Sequence, residues 1–394
     1  MKYLLEYIEK YGSSYFIEEP INEIDILIFS QLIYNNFKGI VERNQPISLQ
    51  EAAAKFYEEY TKTDVEALLD VAKRAAVLLS ACANTKRFGE VQLAHFIDNI
   101  NDELDKQICA VNFVLPEGTR VVAFRGTDAT VTGFKESAML AYMFPVPAQI
   151  EALHYFQETA MLSHGKVYTC GHSKGGNLAI YAAVSCSNSL QRKLTGVYAF
   201  DAPGFPDWFF ERYEYHQIRD KINIYTPQLS IIGRALVMEK EPIIVSSDAK
   251  LAHQHSVATW VIEDKAFRRM EMYGEESDRI AAYLNELVDY IGEDDLEAFY
   301  DAMEETATRL GISDFYDLKT VDTNLLTIVI DSIQTLDPEQ KERFRSLVFK
   351  VATDAAKGYF SDAKNKAKTV LKNVTGKLPF TGRKKAEGTE SDNK

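Results

Sequence analysis

The stretch Lys166–Cys186, KVYTCGHSKGGNLAIYAAVSC, decides the fold. It begins with a short strand pattern of β-branched and aromatic residues and continues, after Gly176, as a buried helix of small and apolar residues. The turn between them reads Gly171-His172-Ser173-Lys174-Gly175. A Gly-x-Ser-x-Gly turn between a strand and a helix is typical of a nucleophile elbow, in which the serine occupies a strained bend. We therefore predict that Ser173 is a nucleophile and that the helix N-terminus faces the developing oxyanion.

Strand patterns lie on both sides of this elbow in the sequence. Residues 133–163 read as helical, with interruptions at Pro145 and Pro147. Strands that alternate with helices predict a mostly parallel sheet with helices on both faces. The other strand candidates are ICAVNFVLP (108–116), RVVAFRG (120–126), LTGVYAF (194–200), KINIYTP (221–227) and EPIIVSS (241–247).

The periodicity divides the chain into four regions. Apolar residues at helical spacing dominate before and after the strands, and the end of the chain is polar and charged. We predict a helical N-terminal flank packed on the core (1–107), an α/β core (108–265), a helical C-terminal extension (266–372) and a disordered tail (373–394).

A serine nucleophile needs an imidazole that accepts its proton. In the hydrolases that use this elbow, the order along the chain is serine, acid and histidine, so the base is expected after Ser173. His255 follows the last strand pattern and precedes a helix with Trp260, which favours it as the base. His253 is the alternative, and we interpret His216, in the stretch RYEYHQ, as a surface residue.

The acid that orients the histidine is expected at the carboxyl end of a strand near the elbow. Asp201 directly follows the strand pattern VYAF, which favours it. The segment after the next strand, Gln228-Leu229-Ser230, holds no carboxylate. Asp248 stays open as an alternative, although it lies close to His255 in sequence.

The oxyanion hole of such an enzyme takes one backbone N–H from the residue after the nucleophile and a second from an earlier strand-to-loop turn. Here the first residue is Lys174. The turn Phe124-Arg125-Gly126-Thr127-Asp128 ends a strand pattern, so Thr127 is the predicted second donor. We expect Arg125 to brace this loop through a carboxylate.

The motifs FRGTD, GHSKGGNLA and FDAPGF and the late QHS before Trp260 occur in this order. With them the chain resembles the lipase class 3, or fungal-lipase-like, branch of the α/β-hydrolase superfamily over roughly residues 15 to 265. It is most similar to a bacterial intracellular lipase-like family with lysine in GHSKGG. The resemblance implies an α/β-hydrolase fold, Ser173 as nucleophile, His255 as base, and Thr127 and Lys174 as oxyanion donors.

The chain departs from the lipase pattern at three places. The lipases usually have leucine at the position of Lys174 and an aspartate where this chain has Gln228-Leu229-Ser230. Their Trp-x-x-Asp motif after the oxyanion loop appears here as Phe134-Lys135-Glu136-Ser137. These changes do not disturb Ser173, and the missing aspartate in Gln228-Leu229-Ser230 favours Asp201 as the acid.

Composition excludes several classes of function. The net charge of −14 argues against a general nucleic-acid binder, which needs a basic face. The four cysteines lie in apolar or small-residue surroundings without a Cys-x-x-Cys pair, and no signal-peptide or transmembrane pattern occurs, so we expect a cytoplasmic protein. The sequence carries no phosphate loop, dinucleotide fingerprint or metal-ligand cluster, so we expect no cofactor and no metal.

We therefore predict a lipase-like or esterase-like serine hydrolase that acts on a small-molecule or lipid ester. An acyltransferase or peptidase with the same triad is an alternative, and so is a catalytically silent hydrolase-fold protein that binds or regulates. The stretch AMLAYMFPVPAQI (138–150) is either a lid or acyl-chain wall, or a core helix. The basic residues between Lys364 and Lys385 belong either to a solvated tail, the favoured interpretation, or to a segment in weak contact with an anionic membrane surface.

Overall fold

In a computed structural model of the protein, the structure describes residues 1–68, 70–128, 130–274, 277, 291–312 and 325–346. Within these residues, one sheet holds eight strands, which lie side by side in chain order. They are β1 (Ile47–Ser48), β2 (Gln92–Asn101), β3 (Lys106–Val114), β4 (Arg120–Phe124), β5 (Val167–His172), β6 (Leu194–Phe200), β7 (Ile222–Pro227) and β8 (Ile243–Val245). A separate two-stranded sheet pairs β9 (Ile262–Glu263) with β10 (Ala266–Phe267).

The described helices flank and connect these strands. The α-helices are α1 (Lys2–Tyr11), α2 (Glu23–Leu32), α3 (Leu49–Glu59), α4 (Lys62–Ala67), α5 (Asp70–Ala83), α6 (Val131–Met139), α7 (Pro147–Ala160), α8 (Lys174–Ser185), α9 (Asn188–Lys193), α10 (Tyr213–Ile218), α11 (Glu293–Arg309) and α12 (Leu325–Thr335). Short 3-10 helices span Asp102–Leu104, Asp207–Glu211, Arg219–Lys221, Ile232–Arg234, Leu251–His255 and Val257–Thr259.

The sheet is buried on both faces, and alternate residues of β3 show this. Cys109, Val111 and Phe113 join a core cluster with helices α1, α2, α3 and α5. Ile108 and Ala110 join the opposite cluster, which contains α7, α8 and α10. Because successive strand residues point to opposite faces, a sheet covered on both sides needs apolar residues at nearly every position. This explains the almost continuous apolar runs of the central strands.

The pairing of the strands confirms the predicted fold class. The pairs from β4 to β8 are parallel, and those from β1 to β4 are antiparallel. Helices cover both faces, so this is an α/β-hydrolase fold with a mostly parallel centre and helical additions. The carboxyl ends of β4, β5, β6 and β7 therefore lie along one edge, where loops from these strands come together.

The predicted helical flank through residue 107 missed a hairpin. Residues of β2 and the start of β3 belong to the sheet, although they lie before the predicted core boundary. The reason is that β2 does not alternate regularly: its pairing with β3 shifts between Ala94 and Ile97, and His95 has a φ of 56°. Such a bulge breaks the period of two on which a strand prediction depends.

The C-terminal extension contacts the core through α6. The Lys135 ammonium lies 2.9 Å from Asp301 and 2.6 Å from Glu304, both on α11. The predicted tail (373–394) and the basic residues from Lys364 onward lie outside the described residues, so the predicted membrane contact stays a prediction. No helix in the described ranges has the length and apolar character that a membrane span requires.

Candidate active site

Ser173 occupies the bend between β5 and α8. Its backbone dihedrals are φ 57° and ψ −132°, a conformation that a residue with a side chain rarely adopts. Its N–H donates to Phe200 O at 2.9 Å, which ties the bend to the end of β6. A Cβ atom at Gly175 would overlap Phe124 O at the end of β4, so this position needs glycine. These constraints explain the spacing of the motif and hold Ser173 at the carboxyl edge of the sheet.

His255 is the last residue of a short 3-10 helix. Two buried side chains, Gln254 and Trp260, hold this helix in place through hydrogen bonds. Gln254 accepts from Leu229 N–H at 2.9 Å and donates to Ala249 O at 2.9 Å. The indole N–H of the fully buried Trp260 donates to Gln254 O at 2.8 Å. The backbone that carries His255 is therefore fixed on both sides.

The structure brings Asp201 and His255 together. Nδ1 of His255 lies 2.6 Å from Oδ2 of Asp201, and Asp201 is fully buried while the His255 side chain is 32% exposed. The other carboxylate oxygen, Oδ1, accepts from Ser230 Oγ and from Gly233 N–H, the latter at 3.2 Å. Both carboxylate oxygens of Asp201 therefore have hydrogen-bond partners, which fix the orientation of the carboxylate toward His255.

Ser230 is a site residue that sequence reasoning missed. It lies in the loop after β7, where the lipase pattern has an aspartate, and its hydroxyl reaches across to Asp201 at the end of β6. The absence of a carboxylate from Gln228-Leu229-Ser230 was the available signal. A hydroxyl at that place supports an acid on the neighbouring strand instead of supplying one.

The alternative residues lie elsewhere. His253 and His216 are exposed. Asp248 is exposed as well, and its carboxylate accepts a hydrogen bond from the hydroxyl of Tyr3. The structure thus brings Asp201, and not Asp248, to the His255 imidazole.

The loop after β4 lies directly beside Ser173. A Cβ atom at Gly126 would be 3.3 Å from Ser173 Cβ and 2.7 Å from His172 O, so only glycine allows this approach. Arg125 braces the loop as expected, since its guanidinium bonds Asp98 at 2.8 Å and Asp128 at 3.3 Å. In the part of the chain that the structure describes, the N–H groups of Thr127 and Lys174 have no hydrogen-bond acceptor.

The Lys174 side chain forms a fully buried ion pair. Its ammonium donates to Glu136 Oε2 at 2.8 Å and to the backbone and side-chain oxygens of Gln107 at 2.9 and 2.7 Å. Burial lowers the pKa of Lys174, and the Glu136 carboxylate opposes this effect. Glu136 also accepts from Gln107 N–H and Ala148 N–H. The cluster connects the start of α8 to α6, so Lys174, which departs from the lipase pattern, is paired with a carboxylate of the neighbouring helix α6.

We expect Lys174→Met to lower the free energy of unfolding by about 3–5 kcal/mol, because it leaves the buried Glu136 carboxylate without its cation. Equilibrium urea unfolding measures this loss. The double variant K174M/E136Q should recover at least half of it, since no unpaired charge remains. A single variant within about 1 kcal/mol of wild type would contradict the assigned role of the pair.

The stretch 138–150 contributes buried side chains beside this cluster. Met139, Leu140 and Val146 form a small core cluster, with Tyr142 and Leu236 packed against it. This favours the core interpretation of the stretch, and a lid stays a prediction. Among the described residues, no group of histidine, cysteine, aspartate or glutamate side chains could hold a metal ion.

The sheet topology and the elbow at its centre define the fold class, a lipase-like α/β-hydrolase fold. Within that class, the chain belongs to the Mbeg1-like family, whose model matches residues 82–305. A solved structure described as the crystal structure of M37 lipase is 16% identical over 66% of this chain and 84% of that chain, with a TM-score of 0.33. No curated protein matches the chain.

Proposed function

We propose that this protein is a serine hydrolase that cleaves acyl esters through a covalent acyl-enzyme on Ser173. The observation that carries the proposal is the 2.6 Å contact between His255 Nδ1 and Asp201 Oδ2, at the sheet edge where Ser173 stands in a strained bend. Because Asp201 is an acceptor, the imidazole proton stays on Nδ1 and Nε2 keeps its lone pair. This is the tautomer that a general base requires.

In the proposed reaction, Ser173 Oγ attacks the ester carbonyl carbon as its proton passes to His255 Nε2. The imidazolium is stabilised by Asp201, and it then protonates the departing alcohol oxygen as the carbon–oxygen bond breaks. Water, deprotonated by the same imidazole, attacks the acyl-enzyme and releases the carboxylic acid with Ser173 restored. Each proton that His255 accepts is returned within the cycle.

The backbone N–H groups of Thr127 and Lys174 are the proposed oxyanion donors. Thr127 lies next to Gly126, which approaches the Ser173 side chain. Lys174 is the first residue of helix α8, directly after Ser173. The Thr127 hydroxyl bonds Ser137 Oγ on α6, which holds this residue against the loop. Donors fixed before the reaction stabilise the tetrahedral intermediate without reorganisation. The cytoplasmic location predicted from the sequence is part of the same proposal.

Labelling with a fluorophosphonate probe tests the proposal. We expect the wild-type protein to react and to carry the phosphonyl adduct on the tryptic peptide with Ser173, because only an activated serine attacks this phosphorus. Ser173→Ala is the matched control and should stay unlabelled. Mass spectrometry of the digest identifies the modified residue.

Wild-type protein that stays unlabelled, beside a reactive serine esterase as positive control, would overturn the proposal and favour a silent binding protein. For a labelled protein, hydrolysis of p-nitrophenyl esters from acetate to palmitate defines the acyl length that it prefers. Transfer of the acyl group to an added alcohol instead of to water would identify an acyltransferase.

A further inference from the structure

The hydroxyl of Tyr34 contacts two loops of the candidate site. Tyr34 follows α2 in the N-terminal flank, far in sequence from the elbow. Its Oη accepts from Gly126 N–H at 3.2 Å and lies 3.3 Å from His172 Nδ1. A Cβ atom at Gly126 would come within 2.5 Å of the same oxygen. The N-terminal flank therefore reaches the residue next to Thr127 and the residue before Ser173 through one side chain.

The partners of His172 determine its tautomer. His172 Nε2 lies 2.8 Å from His255 O, and a carbonyl oxygen can only accept, so we assign the ring proton to Nε2. Burial holds the pKa of His172 well below its usual value, so the ring is neutral. Nδ1 then has a free lone pair, and the Tyr34 hydroxyl is its donor. Burial also raises the pKa of Tyr34 to about 12, which keeps that hydroxyl protonated.

The resulting contacts form one directed chain of hydrogen bonds. Gly126 N–H donates to Tyr34, Tyr34 O–H donates to His172, and His172 Nε2–H donates to the backbone of His255. The rings of His172 and His255 also lie against each other, tilted by 35° and with centroids 4.5 Å apart. Tyr34 is 8% exposed and His172 is 7% exposed, so water competes little for these bonds. The donor and acceptor roles in each of these hydrogen bonds determine the roles in the next one.

We infer that Tyr34 is a positioning residue: its hydroxyl holds the oxyanion loop directly through Gly126 and the His255 backbone through His172, so that both stay in register with Ser173. Tyr34 itself takes no part in proton transfer. It acts on the position of Thr127 N–H through Gly126 and on the position of the His255 ring through His172. This role rests on the proposed hydrolase function and adds to it a contribution from the N-terminal flank.

Tyr34→Phe tests the inference, because it removes one oxygen and keeps the buried ring. With p-nitrophenyl butyrate as substrate, we expect kcat to fall about 10- to 100-fold, the effect of displacing catalytic groups by a fraction of an ångström, with KM changed less than about twofold. The fluorophosphonate labelling rate should fall by a similar factor.

Tyr155→Phe is the matched control. Tyr155 is a 6% exposed tyrosine that also accepts one hydrogen bond, from Asn112, and donates one, to His95 O. It should lose thermal stability as Tyr34→Phe does but keep wild-type kcat. Equal losses of kcat in both variants, or wild-type kcat in Tyr34→Phe, would overturn the inference.

The tautomer of His172 is a second readout, and it is measured on the wild-type protein. In protein labelled with ¹⁵N-histidine, with His172 assigned from the spectrum of His172→Asn, we expect a neutral ring protonated on Nε2 at neutral pH. A proton on Nδ1, or an imidazolium, would overturn the inference. Wild-type protein without fluorophosphonate labelling would overturn the proposed function and the inference with it, whereas equal labelling of wild type and Tyr34→Phe would overturn the inference alone.

Discussion

His255→Ala should lower kcat for p-nitrophenyl butyrate by about 10⁶-fold, the loss expected when a triad histidine is removed. Without the imidazole, Ser173 has no acceptor for its proton, and the departing alcohol has no donor. The fold should persist, because the His255 side chain is 32% exposed and the bond from His172 goes to its backbone carbonyl. Steady-state kinetics and thermal unfolding together measure both expectations.

His253→Ala is the control for this prediction. It removes an exposed imidazole two residues away on the same 3-10 helix. We expect kcat within about twofold of wild type, as is usual for a surface substitution away from the site. A loss of several orders of magnitude in His253→Ala, with His255→Ala active, would show that the base is assigned to the wrong residue.

Asp201→Asn should lower kcat by about 10⁴-fold, the cost of fixing a triad histidine in the wrong tautomer. Ser230 Oγ and Gly233 N–H both donate to Oδ1, so the amide oxygen will occupy that position. The amide NH₂ then faces His255 Nδ1 and donates to it. The imidazole proton moves to Nε2, which can no longer accept the proton of Ser173.

Two measurements check this reasoning. The ¹⁵N spectrum of His255 should show protonation on Nδ1 in wild type and on Nε2 in Asp201→Asn. Asp248→Asn, which changes an exposed carboxylate bonded to Tyr3, should leave both kcat and the tautomer unchanged. Full activity in Asp201→Asn would mean that this carboxylate does not orient the base.

In the proposed triad, Ser230 supports Asp201 from the position where the lipase pattern has an aspartate. The loop after β7 offers a hydroxyl in place of the expected acid, and that hydroxyl bonds a carboxylate from the end of β6. Strands β6 and β7 are neighbours, so their ends lie within reach of one another and of the His255 loop. The proposed acid therefore comes from the end of β6, where it meets the His255 imidazole, instead of from the end of β7.

Sequence reasoning found the elbow because its constraints are local. Gly175 must pass the end of β4, and Ser173 must adopt a strained bend, so the residue types follow from backbone geometry within a few positions. The central strands could also be predicted from the sequence, because strands of a sheet buried on both faces form long apolar runs. The irregular strand β2 could not be predicted from the sequence, because its bulge interrupts the alternation of apolar and polar residues that is typical of a strand.

The sequence by itself determined the fold class, the strained serine and the order of the candidate catalytic residues. Only the tertiary structure decided which carboxylate meets His255, that Lys174 pairs with Glu136, and that Tyr34 reaches Gly126 and His172. The physical reason is distance along the chain. Local steric constraints restrict which residue types can occupy neighbouring positions, so they are visible in the sequence. A hydrogen bond between residues far apart in sequence depends instead on how whole strands and helices pack.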